Sequence, residues 1–439
     1  MKTKLLLIPL LIFALVMAGC SDKPAETTNE AEVFGTFTAA ELEKDADRLM
    51  TIIKAYSPKL YTDEEELQTE YQNALAQFED NMTGLDFIRI IKPVIAALRC
   101  GHTHIYPNVD WDKINLLPMD IKVINEKLYM VKSAINSKIP NGSEITAING
   151  MQADEILASM LKGMSADGYN ETGKINFLSR MLVREYMLSI EYTDSFEIEY
   201  RSPDGKTGKD TVSSMKYVRV RSKLWKSSYS DLYESEFAEK YATLTVHSFN
   251  PNSRNSIDDF NEFFDKFFLE VREKGIENVI LDLRGNSGGD PMITSHLFSY
   301  LEKEPHPYFA PESPNYYPGL KDNIPMAENH FEGSLYTLID GGCFSSATHL
   351  ISLLKYQKVG TFIGEETGGH FVCTDSSRDQ TLPNTELNFH YSTEAWAVDV
   401  EGLEAGRGIF PDHEVMKTVD DYLNEKDPVI DFALSLLGN

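Results

Sequence analysis

The chain has 439 residues, with 41 basic and 68 acidic side chains and a net charge of −27. That length allows two or three domains. The acid excess argues against nucleic acid or anionic phospholipid as a partner, because phosphate contacts need clustered Lys and Arg. The four cysteines, Cys20, Cys100, Cys343 and Cys373, show no zinc-site spacing, and neither a metal nor an organic cofactor is implied. A Cys343–Cys373 bridge joining two late loops is open to the chain in an oxidising compartment.

In chain order, Lys2 and Lys4 precede an apolar run from Leu5 to Ala18 broken by Pro9. Such a run is short for a membrane span and reads as the h-region of a signal peptide. Ala18-Gly19-Cys20 resembles the lipobox of bacterial lipoproteins, with Met17 where Leu is usual. The resemblance makes residues 1–19 a signal peptide and Cys20 a lipidated residue, anchored by acyl chains to a membrane of the bacterial cell envelope, on a periplasmic or surface-exposed face. The polar stretch after it, within residues 20–35, reads as a flexible tether.

Residues 36–108 read as an N-terminal helical domain. Thr38 with Glu41, and Thr62 with Glu65, have capping-box spacing. Leu42, Leu49, Met50, Ile52 and Ile53 recur at helical period, as do Ile88, Ile91, Val94, Ile95 and Leu98. Residues 109–232 are richer in strand patterns. Met119–Ile124 and Lys127–Val131 read as strands joined by Asn125-Glu126. The run Gly142–Gly150 with the helical stretch after it resembles a PDZ module, a fold that captures an extended peptide by β-augmentation.

From 233 to 439 strands and helices alternate, which predicts a mainly parallel sheet covered on both faces. Sites in such sheets lie beyond the carboxyl ends of the strands, and three Gly- or Ser-rich loops fall there. Leu281–Asp290 (LDLRGNSGGD) ends a buried strand with glycines that let N–H groups face a cavity; it lacks the Lys-Ser/Thr of a phosphate loop. Ile339–Leu350 (IDGGCFSSATHL) presents Ser345 and Ser346 at a strand-to-helix turn, where a serine serves either as nucleophile or as helix cap. Gly360–Phe371 (GTFIGEETGGHF) brings Glu365, Glu366 and His370.

These three loops in this order, with Cys100-Gly-His-Thr103 upstream and the late turn Gly408–Asp412, resemble the core of the tail-specific, or C-terminal processing, peptidases, which include the tricorn core. The resemblance implies an α/β catalytic core of ClpP/crotonase type and a serine peptidase acting on peptide or protein substrates. Ser345 then matches the nucleophile. Ser346 and one of Gly288 and Gly289 match the oxyanion donors. The lysine that acts as general base in the processing peptidases falls at His370, and its supporting aspartate at Tyr356. A histidine suits a base near neutral pH without desolvation, which makes His370 and His102 the candidate bases, with His104 and His247 behind them. The missing lysine also supports a second reading, a peptide- or ligand-binding lipoprotein that has lost the base.

Overall fold

The computed structural model describes residues 29–225 and 232–437; the signal-like segment and Cys20 lie outside the described residues. Helix α1 (Ala39–Tyr56) opens on Thr38, whose hydroxyl accepts from the Glu41 N–H while the Glu41 carboxylate accepts from the Thr38 N–H. The second cap departs from expectation. Helix α2 (Glu64–Leu75) opens on Asp63, which accepts from the Glu65 and Glu66 N–H groups, and the Thr62 hydroxyl donates to the Leu98 carbonyl instead. A carboxylate one residue later is the better acceptor at the positive end of the helix. Helix α3 (Gly84–Ala96) carries Leu85, Phe87, Ile88, Ile91, Val94 and Ile95, all buried.

After the short strand β1 (His104–Tyr106), strands β2 (Met119–Ile124) and β3 (Lys127–Ser133) form the predicted hairpin. Its two turn residues have positive φ, 49° at Asn125 and 59° at Glu126, the mirror-type turn whose twist matches paired strands. Strand β4 (Ser143–Ile148), helices α4 (Ala153–Lys162) and α5 (Glu171–Ser189), and strands β5 (Ser195–Arg201) and β6 (Thr207–Ser213) follow. The sheet order is β6-β5-β4-β3-β2, antiparallel throughout. The helices of 36–108 and this sheet share one hydrophobic core, which also takes in Leu382, Leu387, Phe389 and Tyr391 from the C-terminal half.

The second sheet runs from β7 (Tyr233–Phe237) and β8 (Ala242–Val246) through helix α6 (Ile257–Lys274), β9 (Asn278–Asp282), helix α7 (Pro291–Ser299), β10 (Ser334–Ile339), helix α8 (Ser346–Tyr356) and β11 (Thr361–Gly364). β8, β9, β10 and β11 pair parallel in that order, with β7 antiparallel at one edge. The pleat divides β9: Val279 and Leu281 pack with Phe260, Phe264 and Leu297 of α6 and α7, and with Leu350 of α8. Ile280 faces the other way and meets Val429 and Ala433. Burial on both faces explains why these strands read as continuous apolar runs.

Four short strands tie the halves together. β12 (Val372–Asp375) pairs with β15 (Glu394–Ala397), and between them β13 (Arg378–Thr381) and β14 (Asn388–Tyr391) form a hairpin that adds to β1, with His390 opposite His104. The hairpin turn is held by buried Asp45 of α1, whose carboxylate accepts from the Asn384 and Thr385 N–H groups, the Asn384 amide and the Thr385 hydroxyl. Asp45→Ala strands these donors, and is expected to cost roughly 3 kcal/mol, read as a lower urea midpoint with an unchanged slope. No helix among the described residues is long and apolar enough to cross a membrane.

Candidate active site

Strand β10 ends at Ile339, and the chain turns through Asp340–Phe344 before α8 begins at Ser346. Ser345, at the corner, has φ 53° and ψ −130°, a conformation that costs a non-glycine residue of order 1–3 kcal/mol and persists where the surroundings impose it. This is the strained strand-to-helix elbow that lifts a nucleophile out of a sheet. Its side chain makes no cap to the helix, which removes the alternative that Ser345 is a capping serine.

The glycine loop after β9 is pressed against this corner. A Cβ built on Gly288 would lie 2.8 Å from Ser345 Cβ and 2.9 Å from the Ser346 nitrogen. Gly289, with φ 147°, has the Phe249 carbonyl carbon only 2.0 Å from where its Cβ would stand. The loop is pinned by Asn286, which is fully buried: its amide donates to the Val246 carbonyl and its Oδ1 accepts from the Gly288 N–H at 2.9 Å. The Gly288 N–H is therefore already engaged. The N–H groups of Gly289 and Ser346 have no acceptor among the described residues. Of the two glycines read from sequence, Gly289 is the one with a donor to offer an oxyanion.

His102 reaches this corner from the other half of the chain. Its ring lies tilted against Phe344, centroid to centroid 4.5 Å, and it lines a small cavity with Ser345, Gly288, Gly289, Asn250, Ser287 and Asp375. The segment carrying it is fastened on both sides. Cys100 Sγ lies 2.7 Å from Thr374 Oγ1, Thr103 Oγ1 accepts from the Ser392 N–H, and the Gly101 N–H donates to Asp167 at 2.7 Å. Burial pushes the His102 pKa below the ordinary 6.5; the negative charge of Asp375 opposes the shift and His390 adds to it. The imidazole is thus neutral, the form a general base needs. Nδ1 is buried without a partner. Asp375, at the end of β12, accepts from the Ser377 N–H and hydroxyl, and it is the carboxylate facing the same cavity.

His370 is placed differently. It is fully buried, its Nδ1 accepts from the Val372 N–H at 3.2 Å, and its ring meets Tyr61 edge-on. Burial lowers its pKa to about 4. It does not line the cavity that holds Ser345. His104 lies tilted against His390 at 4.8 Å between ring centroids, and His247 pairs with Glu234 at 3.2 Å; neither lines that cavity either. Glu366 of the third loop is taken up by Arg407, Thr172 and the Gly408 N–H, so it locks that loop to the late turn. Cys100, Cys343 and Cys373 are buried free thiols, so the Cys343–Cys373 bridge considered from sequence is not formed. Asp375 and Asn286 are the residues sequence reasoning missed. Asn286 stood in plain view in the glycine loop, between the turn glycine and the pair at its end. Asp375 had no local signal at all.

Asp167 supports the His102 turn at a cost that depends on pH. Burial raises its carboxyl from 3.8 to about 7, against the Gly101 hydrogen bond, which lowers it. The folded state therefore holds this proton more tightly than the unfolded chain, and the associated stability is lost as pH rises from about 4 through 7. Asp167→Asn keeps an acceptor for the Gly101 N–H and cannot ionise. The variant is expected to match wild type near pH 3, below the unfolded value of 3.8, and exceed it by a few kcal/mol at pH 8, since each tenfold difference in proton affinity between the folded and unfolded chain is worth about 1.4 kcal/mol. Denaturation curves at the two pH values read the difference.

A strained serine elbow on a parallel α/β core, a glycine loop with a free N–H beside it and a neutral histidine define a serine-hydrolase type of site. Residues 240–415 match the model of peptidase family S41. They carry Ser345 and both glycine loops, and through this segment the chain is similar to peptidase family S41. His102 lies outside it. The chain is 28% identical over 183 residues to the tricorn protease of Thermoplasma acidophilum, covering 40% of this chain and 15% of that protein. It is 29% identical over 191 residues to a tricorn-like protease C-terminal subunit of Sulfurisphaera tokodaii, covering 40% of this chain and 19% of the relative. The chain thus spans under a fifth of either relative's length. Among solved structures, mature CPAF shares the fold over 91% of this chain and 98% of its own, with a TM-score of 0.68 at 13% identity.

Proposed function

We propose that this chain is a serine peptidase that cleaves peptide bonds through an acyl-enzyme at Ser345. The observation that carries the reading is the single cavity in which the strained Ser345, neutral His102 and the Gly289 loop meet. Ser345 Oγ attacks the scissile carbonyl while its proton passes to His102. The oxyanion that develops is held by the Gly289 and Ser346 N–H groups. His102 then returns the proton to the departing amine as the C–N bond breaks, and a water deprotonated by the same ring hydrolyses the ester. Asp375 stabilises the imidazolium that forms between these steps.

The finer reading follows from the sequence. Cys20 would tether the enzyme to a membrane of the cell envelope, and the substrates would be exported polypeptides presented as extended chains. The antiparallel sheet of residues 119–213, with its PDZ-like strand–turn–helix, supports capture of such a chain by strand addition. The alternative, a binding protein without chemistry, draws on the absence of the family lysine and on the engaged Nδ1 of His370. A fluorophosphonate probe separates the two. Wild type is expected to label at neutral pH and Ser345→Ala is not. Absence of labelling in the wild type from pH 6 to 9 counts against an activated serine and favours the binder.

A further inference from the structure

Beside Ser345 opens a cleft of roughly 600 Å³. One part of its wall is aromatic: Phe309 lies 5.0 Å from Trp396 between ring centroids, and Tyr317 stands 5.8 Å from the same indole. The rest of the lining is polar, with Asn250, Asp290, Asp375, Arg378 and Thr393 in it, and His349 stands beside Phe309 at the aromatic part. His349 is buried and belongs to α8. It follows Ser345 by four positions, so it lies on the same helix face one turn, about 5.4 Å, further in. The edges of the Tyr308 and Phe309 rings flank it at 6.2 and 6.0 Å.

The proton on this ring can be assigned. The backbone carbonyl of Trp396 hydrogen-bonds to His349, and a carbonyl only accepts, so the ring nitrogen facing it carries hydrogen. The other nitrogen, Nε2, is buried with no partner. Burial first, then the neighbouring His370 and His102, lowers the pKa to about 3, so the ring holds a single proton at neutral pH. Nε2 is therefore a bare, buried acceptor beside the aromatic part of the cleft. A buried acceptor left unpaired costs about 1–3 kcal/mol, and a donor supplied by a ligand would relieve that.

We infer that this cleft receives the side chain on the acyl side of the scissile bond, and that it selects tyrosine, whose ring packs among Phe309, Tyr317 and Trp396 while its hydroxyl donates to His349 Nε2. The assignment of the cleft to the acyl side rests on the acyl-enzyme reading at Ser345. The length of a tyrosine side chain fits the depth of one helix turn. Phenylalanine would fill the same walls and leave Nε2 unpaired. A carboxylate would bring a second acceptor to a ring that cannot protonate near neutral pH. Sites that hydrogen-bond a substrate hydroxyl reject the analogue lacking it more sharply than an apolar pocket discriminates by size.

The test separates pocket from chemistry. Peptides of one sequence ending in Tyr, Phe, Leu or Ala, the products on the acyl side, are titrated by calorimetry into full-length Ser345→Ala protein. Tyrosine is expected to bind about tenfold tighter than phenylalanine, with alanine weakest. In Ser345→Ala/His349→Leu the Tyr-to-Phe ratio is expected to fall to about one. Equal binding of Tyr and Phe peptides, preference for Leu or Ala, or binding of none of them overturns the proposal, and these readings come from a protein with His349 intact, so they do not depend on the double variant folding. Fluorophosphonate labelling of wild type runs in parallel. Tyrosine selectivity without labelling would uphold the pocket and sink the acyl-enzyme reading; labelling without tyrosine selectivity would do the reverse.

Discussion

Alanine at His102 is expected to lower kcat/KM for a cleaved peptide by about 10⁴–10⁶-fold, close to the loss from Ser345→Ala. Residues that act as one nucleophile–base unit fail together rather than additively. The double variant should therefore be no worse than either single one. Geometry drives the expectation: His102, not His370, shares the cavity with Ser345. Electrostatics supplies a second readout. Because burial lowers the His102 pKa below 6.5, the ring is already neutral at pH 7. Wild-type kcat/KM should then be flat from pH 7 to 8 and fall only below the range of an ordinary histidine. Removing the Asp375 charge with Asp375→Asn takes away the group that opposes the shift, so the acid limb should move to still lower pH while activity drops. A larger loss in His370→Ala than in His102→Ala, with both folded by circular dichroism, would reverse the assignment.

Gly289→Ala is expected to remove activity by a route that touches neither Ser345 nor His102. The added Cβ would sit 2.0 Å from the Phe249 carbonyl carbon and 2.2 Å from the Asn250 nitrogen, both backbone atoms that cannot rotate away. The residue also occupies φ 147°, where side chains other than hydrogen are strained. The loop must move, and its N–H with it. Loss of one oxyanion donor typically costs 10²–10³ in kcat, so a fall of at least that size is expected, together with a lower midpoint in chemical denaturation. A readout specific to the oxyanion is the acylation rate. It should fall while binding of a product peptide, which develops no oxyanion, changes far less. Unchanged acylation in a folded Gly289→Ala protein would exclude this N–H from the site.

Much of the C-terminal half was legible from the residues. Asn278–Leu283 reads as a buried strand and β9 covers Asn278–Asp282; Leu335–Ile339 likewise lies within β10, Ser334–Ile339. These strands are short apolar runs ending in glycine loops, so the local signal and the tertiary outcome coincide. The same holds for the Asn125-Glu126 turn and the Thr38 cap, where the deciding atoms are within four residues of one another. The Thr62 cap was misread for an equally local reason, since Asp63 next to it competes for the same N–H groups.

What the sequence by itself determined, then, is the parallel core and the glycine loops at its strand ends, because these follow from glycine conformations and hydrophobic period over a few residues, whereas the roles given to Ser345 and Gly289 rest on the family resemblance and the proposed function. The histidine that shares a cavity with Ser345 emerged only in three dimensions. The family resemblance put His370 first and His102 second, and the fold buries His370 against Tyr61 with its Nδ1 occupied. His102 arrives from 243 positions before Ser345 because β1 adds to the β13–β14 hairpin, and that hairpin is moored by Asp45 at the far end of the chain. No period or motif encodes such a junction. It depends on strand edges and buried carboxylates finding partners hundreds of residues away, and those contacts exist only once both halves have packed.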